Sequence, residues 1–166
     1  MKKLIAALLL AVMCMSLTAP VLAETPAFET TKSFIAVLEA DQLLYEFMGR
    51  ITSGEEHVLL ENEDNHFAYE INTYFHEDND TALVYVWNII HFEDADFVNV
   101  LRAVNELNYS YKYTRFYIED VDNTVTCAMT IILHDNDTAG DVVLEALMRM
   151  ASILNVAYPA LSPYNK

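Results

Sequence analysis

Tyr111-Lys112-Tyr113-Thr114-Arg115-Phe116-Tyr117-Ile118-Glu119, then Asp120-Val121-Asp122-Asn123, then Thr124-Val125-Thr126-Cys127-Ala128-Met129-Thr130-Ile131-Ile132-Leu133, is the stretch that decides the fold. In its second half Val125, Cys127, Met129, Ile131 and Leu133 recur at every second position, the period of a strand with one buried face. In its first half Phe116 and Ile118 share one face, and Tyr111, Tyr113 and Tyr117 share the other. The residues between the halves are turn formers, so the pair reads as an antiparallel hairpin with strands over 111–119 and 124–133.

Upstream, Asp94 and Asp96 place negative charge at the start of a helix, where its dipole is positive. Phe97, Val100, Leu101, Val104 and Leu107 form the buried stripe of that helix. Before it, Ala82 to Phe92 is apolar on both faces, which suits a central strand or one covered on both sides. His66 to Phe75 alternates, with Phe67, Tyr69, Ile71 and Phe75 opposite Glu70, Asn72 and His76. Glu77-Asp78-Asn79-Asp80 is a turn. Val58 to Glu61 is a short strand closed by the turn Asn62-Glu63-Asp64-Asn65. Further back, Thr52-Ser53-Gly54 signals a turn. Thr30-Thr31 is placed to cap a helix through Phe34, Val37 and Leu38, with Leu44 and Met48 on its extension and an end between Ala40 and Gly49. Downstream, Thr138 and Asp141 have capping-box spacing. They open a last helix through Val143, Leu147, Met150 and Leu154, stopped at Pro159. The expectation is an α+β domain: an antiparallel five-stranded sheet with three packed helices, in the order α-β-β-β-α-β-β-α.

The chain has 166 residues, enough for one domain. Its first segment reads as an address. Lys2 and Lys3 precede an uncharged apolar run from Leu4 to Leu17, and Val21-Leu22-Ala23 follows with short residues where a signal peptidase cuts. A secretory leader over 1–23 is expected, then a tail over 24–30, the domain over 31–161 and a second tail over 162–166. The run is too short for a typical spanning helix. A lipid anchor at Cys14 would need a small residue before it, where Met13 stands. The expected product is exported, to the periplasm or the exterior, with no stable membrane anchor.

Charge narrows the partners. Lys and Arg number 9 against 25 Asp and Glu, a net charge of −16, and loss of Lys2 and Lys3 takes this to −18. Nucleic acid and anionic membrane surfaces are disfavoured, because both need clustered basic residues. With Cys14 removed, Cys127 is the single cysteine, so no internal disulfide is expected. It shares the phase of Met129 and Ile131, and reads as a buried apolar residue rather than a nucleophile.

Asn105-Glu106-Leu107-Asn108, then Lys112-Tyr113, Arg115 and Phe116-Tyr117-Ile118-Glu119-Asp120, resembles the signature of YbjN-like domains, known as bacterial sensory transduction regulators. The element order over about 31–161 is similar too. The resemblance implies a fold like the type III secretion chaperones, a twisted antiparallel sheet with helices packed on it. It implies no catalytic residue and no cofactor, and it suggests protein binding and a homodimer.

The residues themselves carry no catalytic constellation. There is no Gly-x-Ser-x-Gly elbow and no glycine run to cradle phosphate. His57, His66, His76, His91 and His134 lack the spacing of a zinc site, and His76-Glu77-Asp78 and His134-Asp135 fall in turns. Asp135-Asn136-Asp137-Thr138-Ala139-Gly140 starts like a calcium loop, but Ala139 and Ala146 stand where ligands are required. No metal, cofactor or enzymatic activity is expected. The informative surface feature is aromatic: Tyr111, Tyr113 and Tyr117 on one strand, Tyr85 and Trp87 on another. These five form the candidate interaction surface. Two functions stand: an exported, non-enzymatic, YbjN-like protein-binding module with a basic partner favoured by the acidic turns, and an extracytoplasmic sensor that binds a ligand or cation through those turns.

Overall fold

The computed structural model describes residues 25–63 and 66–166. The expected leader over 1–23, its cleavage site and Cys14 lie outside the described residues, as do Asp64 and Asn65 of one expected turn. The elements are α1 (Glu29–Ala40), β1 (Glu46–Arg50), β2 (Glu56–Glu63), β3 (Ala68–Phe75), β4 (Thr81–His91), α2 (Phe97–Ser110), β5 (Arg115–Glu119), β6 (Thr124–Ile132) and α3 (Ala139–Leu161). Single 3-10 turns over Asp94–Asp96 and Ser162–Tyr164 flank α2 and α3. One antiparallel sheet has the order β1-β2-β3-β4-β6-β5. The α+β class and the three helices stand; the sheet has six strands rather than five.

The additional strand is β1, which covers part of the expected helix extension through Leu44 and Met48. That helix ends at Ala40, because Gln42 takes a left-handed conformation with φ 58°. The Gln42 N–H then donates to Glu39 O at 3.1 Å, and the Leu43 N–H to Leu38 O at 2.9 Å. These two bonds close a Schellman stop, normally the work of glycine. Leu44, expected on the helix stripe, is 91% exposed, and Met48 is exposed on β1. Gly49, with φ 81°, resolves a bulge between Phe47 and Gly49 where β1 pairs with β2.

The expected caps differ as well. Neither Thr30-Thr31 nor Thr138 makes a side-chain cap. The start of α1 is held instead by Glu56 of β2, a buried carboxylate that accepts the N–H groups of Ala27 and Phe28. The start of α3 is capped from another helix: the Gly140 N–H donates to Ser33 Oγ at 3.0 Å. α1 and α3 approach so closely there that a Cβ on Gly140 would lie 2.4 Å from Ser33 O. Pro159 does not stop α3, which runs on to Leu161. Pro159 loses its own N–H bond and crowds the carbonyl four residues back, and fully buried Leu161 anchors the last turn against that cost.

All three helices pack on one face of the sheet. Phe34 and Leu38 of α1, Val100, Val104 and Leu107 of α2, and Val143, Leu147, Met150, Leu154 and Leu161 of α3 join Val58, Ile71, Phe75, Val84, Val86, Phe116, Cys127 and Ile131 in a single core. Leu101 of α2, expected in that stripe, is exposed instead. By length and composition alone, Ala139–Tyr164 could cross a membrane; here its apolar stripe is spent on this core. Cys127 is fully buried within it, as its phase predicts, and burial pushes its thiol up to about 12. The C-terminal residues are tied down: the His91 N–H donates to Asn165 Oδ1 at 3.0 Å, and the Lys166 N–H to His91 O at 2.9 Å.

Candidate functional site

The strand residues out of phase with the core lie on the opposite face, which no helix among the described residues covers. Strand pairing sets Leu59 beside Asn72, Asn72 beside Tyr85, Tyr85 beside Ala128, and Ala128 beside Arg115. His57 and Tyr74 pair across β2 and β3, and Tyr117 pairs with Thr126 across β5 and β6. Rings therefore stand on β2, β3, β4 and β5, with Thr126 and Ala128 of β6 between the last two.

The rings touch. His57 and Tyr74 stack with centroids 4.4 Å apart, and Tyr85 and Trp87 stack at 5.5 Å. Tyr74 joins the two pairs, lying 6.0 Å from Tyr85 edge-on and 6.0 Å from Trp87. Trp87 sits where β4 slips its register against β6 between Val86 and Ile90, with Asn88 left-handed at φ 54°. Trp87 keeps the phase of Leu83 and Tyr85 and is 41% exposed. Beneath the rings, Asn72 and Thr126 are buried although they belong to this face.

Polar groups on the band are held in defined states. His57 Nε2 donates to Asn72 Oδ1 at 2.9 Å. Burial lowers the His57 pKa against the opposing pull of that bond and of Glu70 and Glu46, which keeps the imidazole neutral at pH 7. Burial raises the Tyr74 pKa, with Tyr85 and Glu55 adding to it. Tyr117 is raised likewise, first by burial and then by Glu119 and Tyr85. Both phenols remain protonated donors.

The five aromatic residues expected to form one surface divide. Tyr85, Trp87 and Tyr117 lie on the open face. Tyr111 does not, because α2 continues to Ser110 and makes Tyr111 its C-terminal cap; the ring packs on the core. Tyr113 lies in the turn before β5, 68% exposed, with the Arg149 guanidinium 5.1 Å from its ring centre. The strand begins at Arg115, so the alternation that joined 111, 113 and 117 does not apply. His57 and Tyr74 were missed, although Tyr74 is in phase with Glu70 and Asn72. Among the described residues no group of three or more His, Cys, Asp or Glu side chains is placed to hold a metal ion.

Asn108, in the stretch that carries the resemblance, has a visible task. Its Nδ2 donates to Phe116 O and its Oδ1 accepts the Phe116 N–H, both at 2.8 Å. The amide thus occupies the outer edge of β5 as a neighbouring strand would.

The class defined here is a two-layer α+β domain with a bare, aromatic sheet face. The chain belongs to the YbjN family, whose model, described as "Putative bacterial sensory transduction regulator", matches residues 36–162. Comparison with curated proteins and with solved structures gave no match.

Proposed function

We propose that this protein is a non-enzymatic, chaperone-like regulatory module that works outside the cytoplasm by binding another protein through its open sheet face. The observation that carries this reading is the set of touching rings His57, Tyr74, Tyr85 and Trp87, with Tyr117 on the same face, over which no helix among the described residues lies. Aromatic side chains with one wet end are the groups that protein interfaces concentrate. The lowered pKa of His57 and the protonated tyrosines leave the rings themselves uncharged, and the ions of this face, Glu46, Glu70, Arg115 and Glu119, lie around them. The net charge of −16 favours a partner whose own flanks are basic.

Photo-crosslinking in the producing cells tests the reading. A crosslinking residue at position 87 should form a discrete protein adduct, and residues at Val98 and Val156 on the exposed sides of α2 and α3 should not. Equal adducts at all three positions, or none at 87, would contradict it.

A further inference from the structure

We propose that the free edge of β6 at Thr130–Ile132 takes up an extended peptide segment of the protein partner as an added strand, with a carboxylate of that segment held by Lys112 and Arg115. This rests on the protein-binding reading above and names the chemistry of what is bound.

The edge is free because β6 outruns β5. Their pairing ends at Arg115 and Ala128, while β6 continues beside β4 until Ile132 meets Thr81. The Leu133 N–H donates to Asp80 O at 2.7 Å, so Leu133 faces β4. In an antiparallel strand each residue directs its N–H and C=O to the same side, and the next residue directs them to the other. Ile131 and Met129 therefore also face β4, and Thr130 and Ile132 point their backbone groups away from it. No backbone bond from a turn or loop reaches them among the described residues. Elsewhere the sheet protects its margins: Asn108 fills the outer edge of β5, and a bulge at Gly49 interrupts β1. Ile132 is 64% exposed.

Cavities flank this edge on both sides of the sheet and meet at Tyr113. One, of about 690 Å³, lies on the open face between Tyr85, Tyr117, Lys112 and Arg115. The other, of about 480 Å³, lies toward α3 against Ile131, Val142 and Ala146. Side chains of an added strand would enter the two alternately, which is how strand addition acquires specificity.

Charge selects the side chain for the first cavity. Lys32, Arg50, Arg149 and Lys166 each pair with a carboxylate. Arg102, Lys112 and Arg115 have no ion pair among the described residues, and Lys112 and Arg115 line this cavity together, in a chain with 25 acidic residues against 9 basic ones. Two unpaired cations on one rim suit a carboxylate, and charges more than about 8 Å away are largely screened at physiological salt. The second cavity is lined mostly by apolar side chains, Met129, Ile131, Ile132, Val142 and Ala146, and its two charged residues, Glu145 and Arg149, pair with each other. The segment that fits alternates acidic and apolar residues. A second copy of this edge would offer Met129–Leu133, which carries no carboxylate.

The test titrates the isotopically labelled full chain with two end-capped peptides, Glu-Val-Glu-Val-Glu and Lys-Val-Lys-Val-Lys, and follows amide shifts and hydrogen exchange. The acidic peptide should shift Thr130 and Ile132 and slow their exchange, and the basic one should not. Arg115→Glu should weaken binding by about threefold to tenfold. Ile132→Pro should abolish binding with the remaining spectrum unchanged, because that N–H lies outside the ladder. Equal or stronger binding of the basic peptide would overturn the proposal. So would shifts confined to Tyr85 and Trp87, no response to either peptide, or edge protection that rises with protein concentration alone. A silent edge beside intact adducts at position 87 removes strand addition and leaves the proposed function standing.

Discussion

The two faces of the sheet are built from the same six strands and differ in what covers them. On one, Val84, Val86, Phe116, Cys127 and Ile131 meet three helices and lose nearly all contact with water. On the other, Tyr74, Tyr85 and Trp87 cover one another, and Tyr117 stands on the same face, with Asn72 and Thr126 buried beneath. The first face is made of apolar groups without a polar tip, whose burial drives folding. The second is made of rings that keep a polar tip in water. The difference teaches that apolar character on a strand does not by itself mean core. β4 is apolar on both faces, and only Ala82, Val84, Val86, Ile89 and Ile90 are buried, while Leu83, Tyr85 and Trp87 alternate onto the open face.

The largest effect that separates the faces is expected at Phe116. Phe116→Ala opens a void beneath α2 and should cost about 3–5 kcal/mol in denaturant unfolding. Trp87→Ser, on the other side of the same sheet, should cost about 1 kcal/mol or less, in line with an exposed site. Similar losses at the two positions would erase the distinction.

Asn108→Ala comes next. It leaves the Phe116 N–H and C=O without partners on the edge of β5, and should cost about 1–3 kcal/mol. It should also raise amide exchange at Phe116 above that at Val84 in the sheet centre. Unchanged exchange at Phe116 would mean that β5 is held without the amide.

Cys127 marks the covered face chemically. With its thiol pushed up to about 12 by burial, it should react slowly with a thiol reagent in native buffer and quickly in denaturant. Fast labelling of the folded protein would place it outside the core.

The smallest effect is a pH dependence on the open face. The His57 pKa is lower in the folded chain than in the unfolded one. The unfolded state therefore binds the proton first, and stability present above about pH 6.5 declines as pH falls through the folded value. His57→Gln should flatten that limb of the stability curve. An unaltered limb would assign it to the carboxylates.

Much of this arrangement was legible in the sequence, for physical reasons that single residues show. Cys127 declared its face because the strand around it keeps a strict period of two. The hairpin joining β5 and β6 was marked by Asp120-Val121-Asp122-Asn123, and Asn123 takes the left-handed conformation, φ 51°, that such turns need. β1 was hidden because the helix stop before it uses Gln42, a residue with no bias toward positive φ. The grouping of Tyr111 with Tyr117 failed because a strand period was extended across residues that end a helix. The free edge of β6 left no local signal at all: it arises from where β5 begins relative to β6, a property of two segments and their register.

The claim that the open face binds a protein and the opposite face holds the fold is tested most directly at Trp87, the single tryptophan of the chain. Unfolding free energy and photo-crosslinking from position 74 should be measured side by side for the parent chain and Trp87→Ser. Loss of a central interface ring typically costs about 2 kcal/mol or more of binding. The account predicts an unfolding free energy lower by about 1 kcal/mol or less, with the adduct at 74 lost. An unfolding free energy reduced by about 3 kcal/mol or more, with the adduct at 74 unchanged, would contradict it.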